Sequence, residues 1–285
     1  MIRLFQIAVL GCISLALTGC NASEKNKPIW EGTKIGDIAP SHGGKRPGDQ
    51  LLKTINFGVY VFEMPAENVS TLDNVWPMLY TPASGGLRFY DHNAFRANSF
   101  SVGFGQIRMW NEIADLLRAA DSKSVRTVSL LLLDTQPSDI PIAPLHNEQT
   151  VFYISTDGST ERVNIGPGEL VLRIRAQRIP GSRDVCDADI IPVFSPPIRA
   201  SIPQLAARER LKELPFTSCR FGVKMRPGDF AFLGPVKYMS HQITLGSLFF
   251  SRPEGSLFFS ETKRKPPERK PAVRMFLLVC AGMNY

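Results

Sequence analysis

From Thr54 onward, apolar residues recur mostly at every second position, the period of strands with one buried face. Thr54-Ile55-Asn56-Phe57-Gly58-Val59-Tyr60-Val61-Phe62 is rich in β-branched and aromatic residues and is stopped by Met64-Pro65. Phe100–Phe104, Val125–Leu133, Thr150–Thr156 and Thr160–Ile165 read as further strands. Asp157-Gly158, between the last two, is the strongest hairpin signal in the chain. Leu170–Gln177 alternates cleanly, which puts Arg173, Arg175 and Gln177 on the wet face. Cys219–Met225, Phe230–Leu233, Leu245–Phe250, Leu257–Phe259 and Val273–Val279 complete the strand-like segments.

The period lengthens twice. Over Gln106–Ala120, Ile107, Trp110, Ile113 or Ala114, and Leu117 fall three to four residues apart, while Arg108, Asn111, Glu112, Asp115 and Arg118 take the opposite face. Ser201-Ile202-Pro203-Gln204 fits a capping box opening a short charged helix that Pro215 closes after Leu214. These elements predict a mainly β protein of the α+β kind, an antiparallel, sandwich-like body with one clear amphipathic helix and one short one. Gly166-Pro167-Gly168-Glu169 and Arg226-Pro227-Gly228-Asp229 each set Pro-Gly and an acid before an apolar strand, which reads as two independent type II turns.

The N-terminus departs from this pattern. Met1-Ile2-Arg3 precedes an apolar run to Leu17, too short to span a membrane and followed by Leu17-Thr18-Gly19-Cys20, the arrangement of an export signal. Those last four residues match a lipobox, and residues 1–20 resemble the N-terminus of bacterial lipoproteins. The resemblance implies cleavage before Cys20 and a covalent lipid on that cysteine, which anchors the protein to a membrane without crossing it. Asn21, where an inner-membrane retention signal typically has Asp, favours the periplasmic face of the outer membrane. Residues 1–19 are therefore expected to be a signal peptide, 20–52 a flexible tether and 53–285 a single β-rich domain. A flexible tether of that length spans ~30 Å.

Cleavage alters the cysteine count. Cys12 leaves and Cys20 is lipidated, so Cys186, Cys219 and Cys280 remain in an oxidising compartment. Cys186 falls in a polar loop and Cys219 near a strand start, which makes Cys186–Cys219 the candidate disulfide. Cys280 ends the apolar run Met275–Val279 and reads as buried and inert.

The net charge of +7 is concentrated locally. Lys263, Arg264, Lys265, Arg269, Lys270 and Arg274 outnumber Glu261 and Glu268, a candidate patch for lipid phosphates or an acidic polymer. The plainer reading is a solvated loop stiffened by Pro266-Pro267 and Pro271. Nucleic acid is set aside as a partner because the lipobox puts the chain outside the cytoplasm. Asp184, Asp187 and Asp189 lack the glycine and distal glutamate of a calcium loop and read as a polar loop. His42, His92, His146 and His241 stand in separate loops, and Asp91-His92-Asn93 has the composition of an ordinary turn. No zinc, serine-hydrolase or phosphate-binding motif occurs, and no stretch of about 20 apolar residues allows a polytopic helical membrane protein.

The run Arg226–Pro235, Thr244–Phe250 and the upstream Asn74-Val75-Trp76 resemble a pattern in uncharacterised planctomycete envelope proteins. They are also distantly similar to the strand-rich core of secretins, without the paired-glycine signature. The expectation is a non-catalytic, lipid-anchored envelope protein with no cofactor beyond the lipid, binding or scaffolding another envelope component. Its rivals are an envelope hydrolase assembled from separated loops, with two or more of His92, His146, Asp91 and the Asp184–Asp189 acids lining a deep pocket, and an accessory subunit of a secretion or pilus machine.

Overall fold

The first strand, β1 (Thr54–Pro65), pairs along its whole length with the last, β13 (Ala272–Asn284), from Thr54↔Asn284 to Pro65↔Ala272. The structure, a computed structural model, describes residues 53–79, 86–182, 184–198, 204, 208–209, 212–238, 244–251 and 271–284. All lie within the unit Ile35–Tyr285.

The fold is mainly β, built of antiparallel sheets with few short helices. One sheet runs β3-β12-β13-β1-β4, with β3 at Phe100–Gln106, β4 at Lys123–Leu133 and β12 at Asp229–Pro235. Its central strands are covered on both faces, which is why β12 is buried throughout and β13 carries the continuous run Met275–Cys280. The short helix α1 (Leu72–Val75) and the single turns beside it lie on one face, with Trp76 5.5 Å from Phe232. On that face also lies the amphipathic helix (Trp110–Ala119), numbered α3 in chain order. It buries Ile113, Ala114 and Leu117 and sets Trp110 against Phe62 and Phe230. Gly103 leaves room for this layer: a Cβ there would lie 2.5 Å from the Leu79 side chain.

The second sheet runs β2-β11-β9-β8-β5, over Leu87–Phe89, Phe221–Met225, Cys186–Ser195, Gly168–Arg178 and Pro137–Leu145. The two-residue strand β10 (Leu214–Pro215) pairs with β9 off this path. Leu170, Leu172, Ile174 and Ala176 of β8 point inward with Cys186, Ala188 and Ile190 of β9. Arg173, Arg175, Gln177, Asp187 and Asp189 take the wet face. β5 carries Pro137, Pro141 and Pro144, which cannot donate to a ladder, and it sits at the edge. Helix α2 (His92–Ala97) joins the layers, with Phe95 5.6 Å from Phe100 and 5.7 Å from Phe221. Just after it, Asn98 donates to the carbonyls of Ala94 (2.8 Å) and Ile154 (2.7 Å) and accepts from the Ile154 N–H (2.8 Å). That clamps the hairpin β6–β7 (Gln149–Ile154 and Thr160–Ile165) onto the body.

Three expectations are corrected. Leu245–Phe250 is a helix, α4, rather than a strand: Thr244 and Ser247 form a capping box, and all six residues are buried, so no polar face marks the period. Cys186–Asp189 opens strand β9 rather than lying in a polar loop, because Asp189 faces outward opposite Arg175 and Asp187 is bound by Arg88, while Cys186 and Ala188 face inward. The two Pro-Gly turns also differ. Arg226–Asp229 closes with an Asp229 N–H to Arg226 carbonyl bond of 2.9 Å and positive φ at Gly228, as a type II turn requires. The other has a cis Gly166-Pro167 bond and positive φ at Gly166. The helix after Ser201 is seen only as helical backbone at Gln204, Arg208 and Glu209. Residues 1–52 and the expected strand Leu257–Phe259 lie outside the described residues.

Candidate functional site

On the wet face of the second sheet an open groove of about 470 Å³ is lined by Arg88, Phe89, Tyr90, Arg175, Gln177, Asp187, Asp189, Arg220 and Gly222. Strand register assembles it. Asp189 of β9 lies opposite Arg175 of β8 on one side and Gly222 of β11 on the other, and Gly222 lies opposite Arg88 of β2. Glycine is needed at position 222, since a Cβ there would come 2.7 Å from Arg88 Nη2. The open position lets Arg88 cross β11 and donate to both carboxylate oxygens of Asp187, at 2.7 and 2.8 Å.

Arg220 makes the other half. Its Nε and Nη2 donate to Asp189 at 2.8 and 2.7 Å in fork geometry, and its Nη1 donates to the Tyr90 hydroxyl at 2.9 Å. The guanidinium carbon also lies 4.5 Å from the centroid of the Tyr90 ring. The bonds to Asp189 raise the arginine's pKa further against the opposing effect of burial. Tyr90 is nevertheless 65% exposed, an aromatic ring held out to solvent by its neighbours. Arg175 donates through Nε to the Thr135 carbonyl at 2.9 Å. Further along the same face Arg173 bridges Asp139 and Glu213.

Exposed ion pairs of this kind contribute only about 0.2–1 kcal/mol each. Their larger effect is to fix the directions of donors and acceptors around one aromatic surface. The groove thus offers fixed guanidinium donors, carboxylate acceptors and a stacking ring to a polar ligand.

The residues singled out in the sequence fall into several places. Asp187 and Asp189 line the groove, but as arginine-bound carboxylates on a strand. Asp184 sits in the preceding turn with positive φ. Asp91 caps α2 by accepting from the Ala94 N–H at 2.9 Å, and His92 stacks edge-on to Phe89 at 4.9 Å. His146 follows the end of β5. None of His92, His146 and Asp91 lines the groove; of the residues named for a hydrolase, Asp187 and Asp189 do, each bound by an arginine. His42, His241, Cys20 and the cationic residues Lys263, Arg264, Lys265, Arg269 and Lys270 lie outside the described residues. Arg274, counted with that cationic run, belongs to β13 and pairs with Glu63 at 2.8 Å.

Cys186, Cys219 and Cys280 are buried and unbridged, and the register Met225↔Cys186 and Phe221↔Ile190 sets the two members of the candidate Cys186–Cys219 pair at opposite ends of β11. Cys219 lies in the turn Thr217–Cys219 beside Ser218, whereas the thiol of Cys186 is within hydrogen-bonding reach of Cys280. No group of three or more His, Cys, Asp or Glu side chains arranged for a metal occurs among the described residues. The sequence reading missed Arg88, Tyr90 and Arg220. Their one visible signal was the run Arg88-Phe89-Tyr90, an aromatic pair beside a cation.

No family model matches the chain, and no curated protein does. Among solved structures, the chain is similar to the type II secretion system secretin XcpQ from Pseudomonas aeruginosa. The identity is 12% and the TM-score 0.20, over 79% of this chain and 55% of that one. A likeness this weak carries no argument about fold or function.

Proposed function

We propose that this chain is a lipid-anchored bacterial envelope protein whose β-rich body binds another envelope component through the groove around Tyr90. The observation that carries the binding role is the Arg220–Asp189–Tyr90 arrangement. An exposed ring stabilised by two separate contacts from one arginine, with a second arginine–aspartate pair beside it, adds little to stability and is well suited to recognition.

The anchor rests on Leu17-Thr18-Gly19-Cys20 and the short apolar run before it. A multiply acylated Cys20 would supply the two lipid signals that stable attachment takes, and residues 20–52 would let the body reach a partner away from the lipid surface. Asn21 supports the outer membrane. The basic residues Lys263, Arg264, Lys265, Arg269 and Lys270 offer a second contact, with lipid phosphates or an acidic polymer.

Two experiments test the two halves. Growth with labelled palmitate should mark the wild-type protein and leave the Cys20→Ala variant unlabelled; equal labelling of both would overturn the anchor. Site-specific photocrosslinking from position 90 in intact cells should capture a neighbour, and its failure would overturn the groove as the binding surface.

A further inference from the structure

The cysteine arrangement supports a step beyond binding. Cys186 opens β9, where it lies opposite Met225, the last residue of β11. From Met225 the chain turns through Arg226–Gly228 and enters the other sheet at Asp229. At the end of that turn the Gly228 N–H donates to the Cys280 carbonyl at 2.8 Å. One short turn therefore joins the strand beside Cys186 to the strand beside Cys280, and the two thiols meet between the sheets, both fully buried. Cys219 stands apart, with Ser218 and Tyr153 as neighbours.

We propose that Cys186 and Cys280 form a disulfide that ties the two sheets together, with Cys219 the unpaired thiol. In the cell this rests on the reading that the chain is exported to an oxidising compartment. The thiolate is the reactive form, and contact with Cys186 together with burial pushes the Cys280 thiol far up. The closed core therefore resists oxidation, and the bond forms while the sheets are still closing. One cysteine thiolate attacks a disulfide oxidant such as oxidised glutathione, releasing a glutathione thiolate. The second then attacks the mixed disulfide and releases another. Two electrons pass to glutathione, and the two cysteine protons are lost to solvent or to the leaving thiolates.

The test has two arms. In the first, the full chain carrying Cys12→Ser and Cys20→Ala is made in a reducing cytoplasm, refolded in a buffer of reduced and oxidised glutathione, alkylated without reductant and mapped by mass spectrometry. A linked Cys186–Cys280 peptide with alkylated Cys219 is expected. Adding Cys219→Ser should preserve the link, and reducing the linked protein should lower its urea midpoint by about 1 M or more. Three alkylated cysteines, or a Cys186–Cys219 peptide, would overturn the pair. In the second arm the wild-type protein is taken from the cell envelope and mapped the same way. A link in both arms supports the pair and the export reading, whereas a link in the first arm alone supports the pair and counts against export.

Discussion

Arg220 holds Asp189 through two nitrogens at 2.8 and 2.7 Å, joining the start of β11 to a strand whose acids the sequence presents as loop residues. The same guanidinium supports Tyr90, 130 positions away in the chain. Arg220→Ala should thus be mild for stability and severe for binding. With both partners about one-third exposed, a loss of about 1 kcal/mol or less, or about 2–4 °C in Tm, is expected. Thermal melts of the variant check this, and a collapse of the fold would show that the groove serves structure first.

Arg88 depends on its neighbour in a different way. Gly222→Ala places a methyl group 2.7 Å from Arg88 Nη2, so the arginine must swing off Asp187. Since the contacting atom is the end of an exposed, flexible side chain, the cost should stay near about 1 kcal/mol. Urea titration measures the stability, and a crystal structure of the variant should show the Arg88–Asp187 pair broken.

Asn98 should be far less forgiving. It alone satisfies the N–H and C=O of Ile154 from the main body, and it is 3% exposed. Asn98→Ala strands both groups, each at about 1–3 kcal/mol. A total loss of roughly 2–4 kcal/mol is expected from those two penalties, read as a lower urea midpoint and faster hydrogen exchange across Gln149–Ile165.

Asp229 carries a pH signature. Burial raises its pKa, while the Arg226 N–H bond at 2.8 Å and the Arg226 charge oppose the shift. A carboxyl whose folded pKa lies above its unfolded value binds its proton more tightly in the folded state. Its stabilising contribution is present below the unfolded value and is lost as pH rises through the folded one. Asp229→Asn keeps an acceptor for Arg226 and removes the buried charge. The variant should equal or exceed the wild type at pH 7 and lose that advantage near pH 3. Urea midpoints at the two pH values check the crossover.

Part of the framework was readable in the sequence through one-sided burial. β8 alternates because one of its faces is wet, and α3 shows its period for the same reason. Asp157-Gly158 marked the β6–β7 hairpin, where the Asp157 carboxylate accepts from the Ser155 hydroxyl and the Ser159 N–H. Those bonds lower its pKa to about 2. Continuous apolar runs read as strands, which holds for β12 and β13 but fails for α4, whose six buried residues offer no polar stripe to show a helical period.

β9 was hidden for a different reason. Asp187 and Asp189 alternate with Cys186 and Ala188 at strand period, but three acids in six residues look like a loop until the opposing arginines are known. The groove was equally hidden, because it exists only through the register of three strands, β2, β11 and β9, that bring Arg88, Tyr90, Asp189 and Arg220 together.

The central claim is that this groove, on a lipid-anchored body, meets a partner in the envelope. The most direct measurement replaces Tyr90 with a photocrosslinking phenylalanine analogue in the full chain, irradiates intact cells and compares the products with those of the same protein carrying Arg220→Ala. A defined adduct that forms from position 90 and is lost with Arg220→Ala is the predicted result. No adduct from a protein that is lipidated and folded, or one indifferent to Arg220, would contradict the claim.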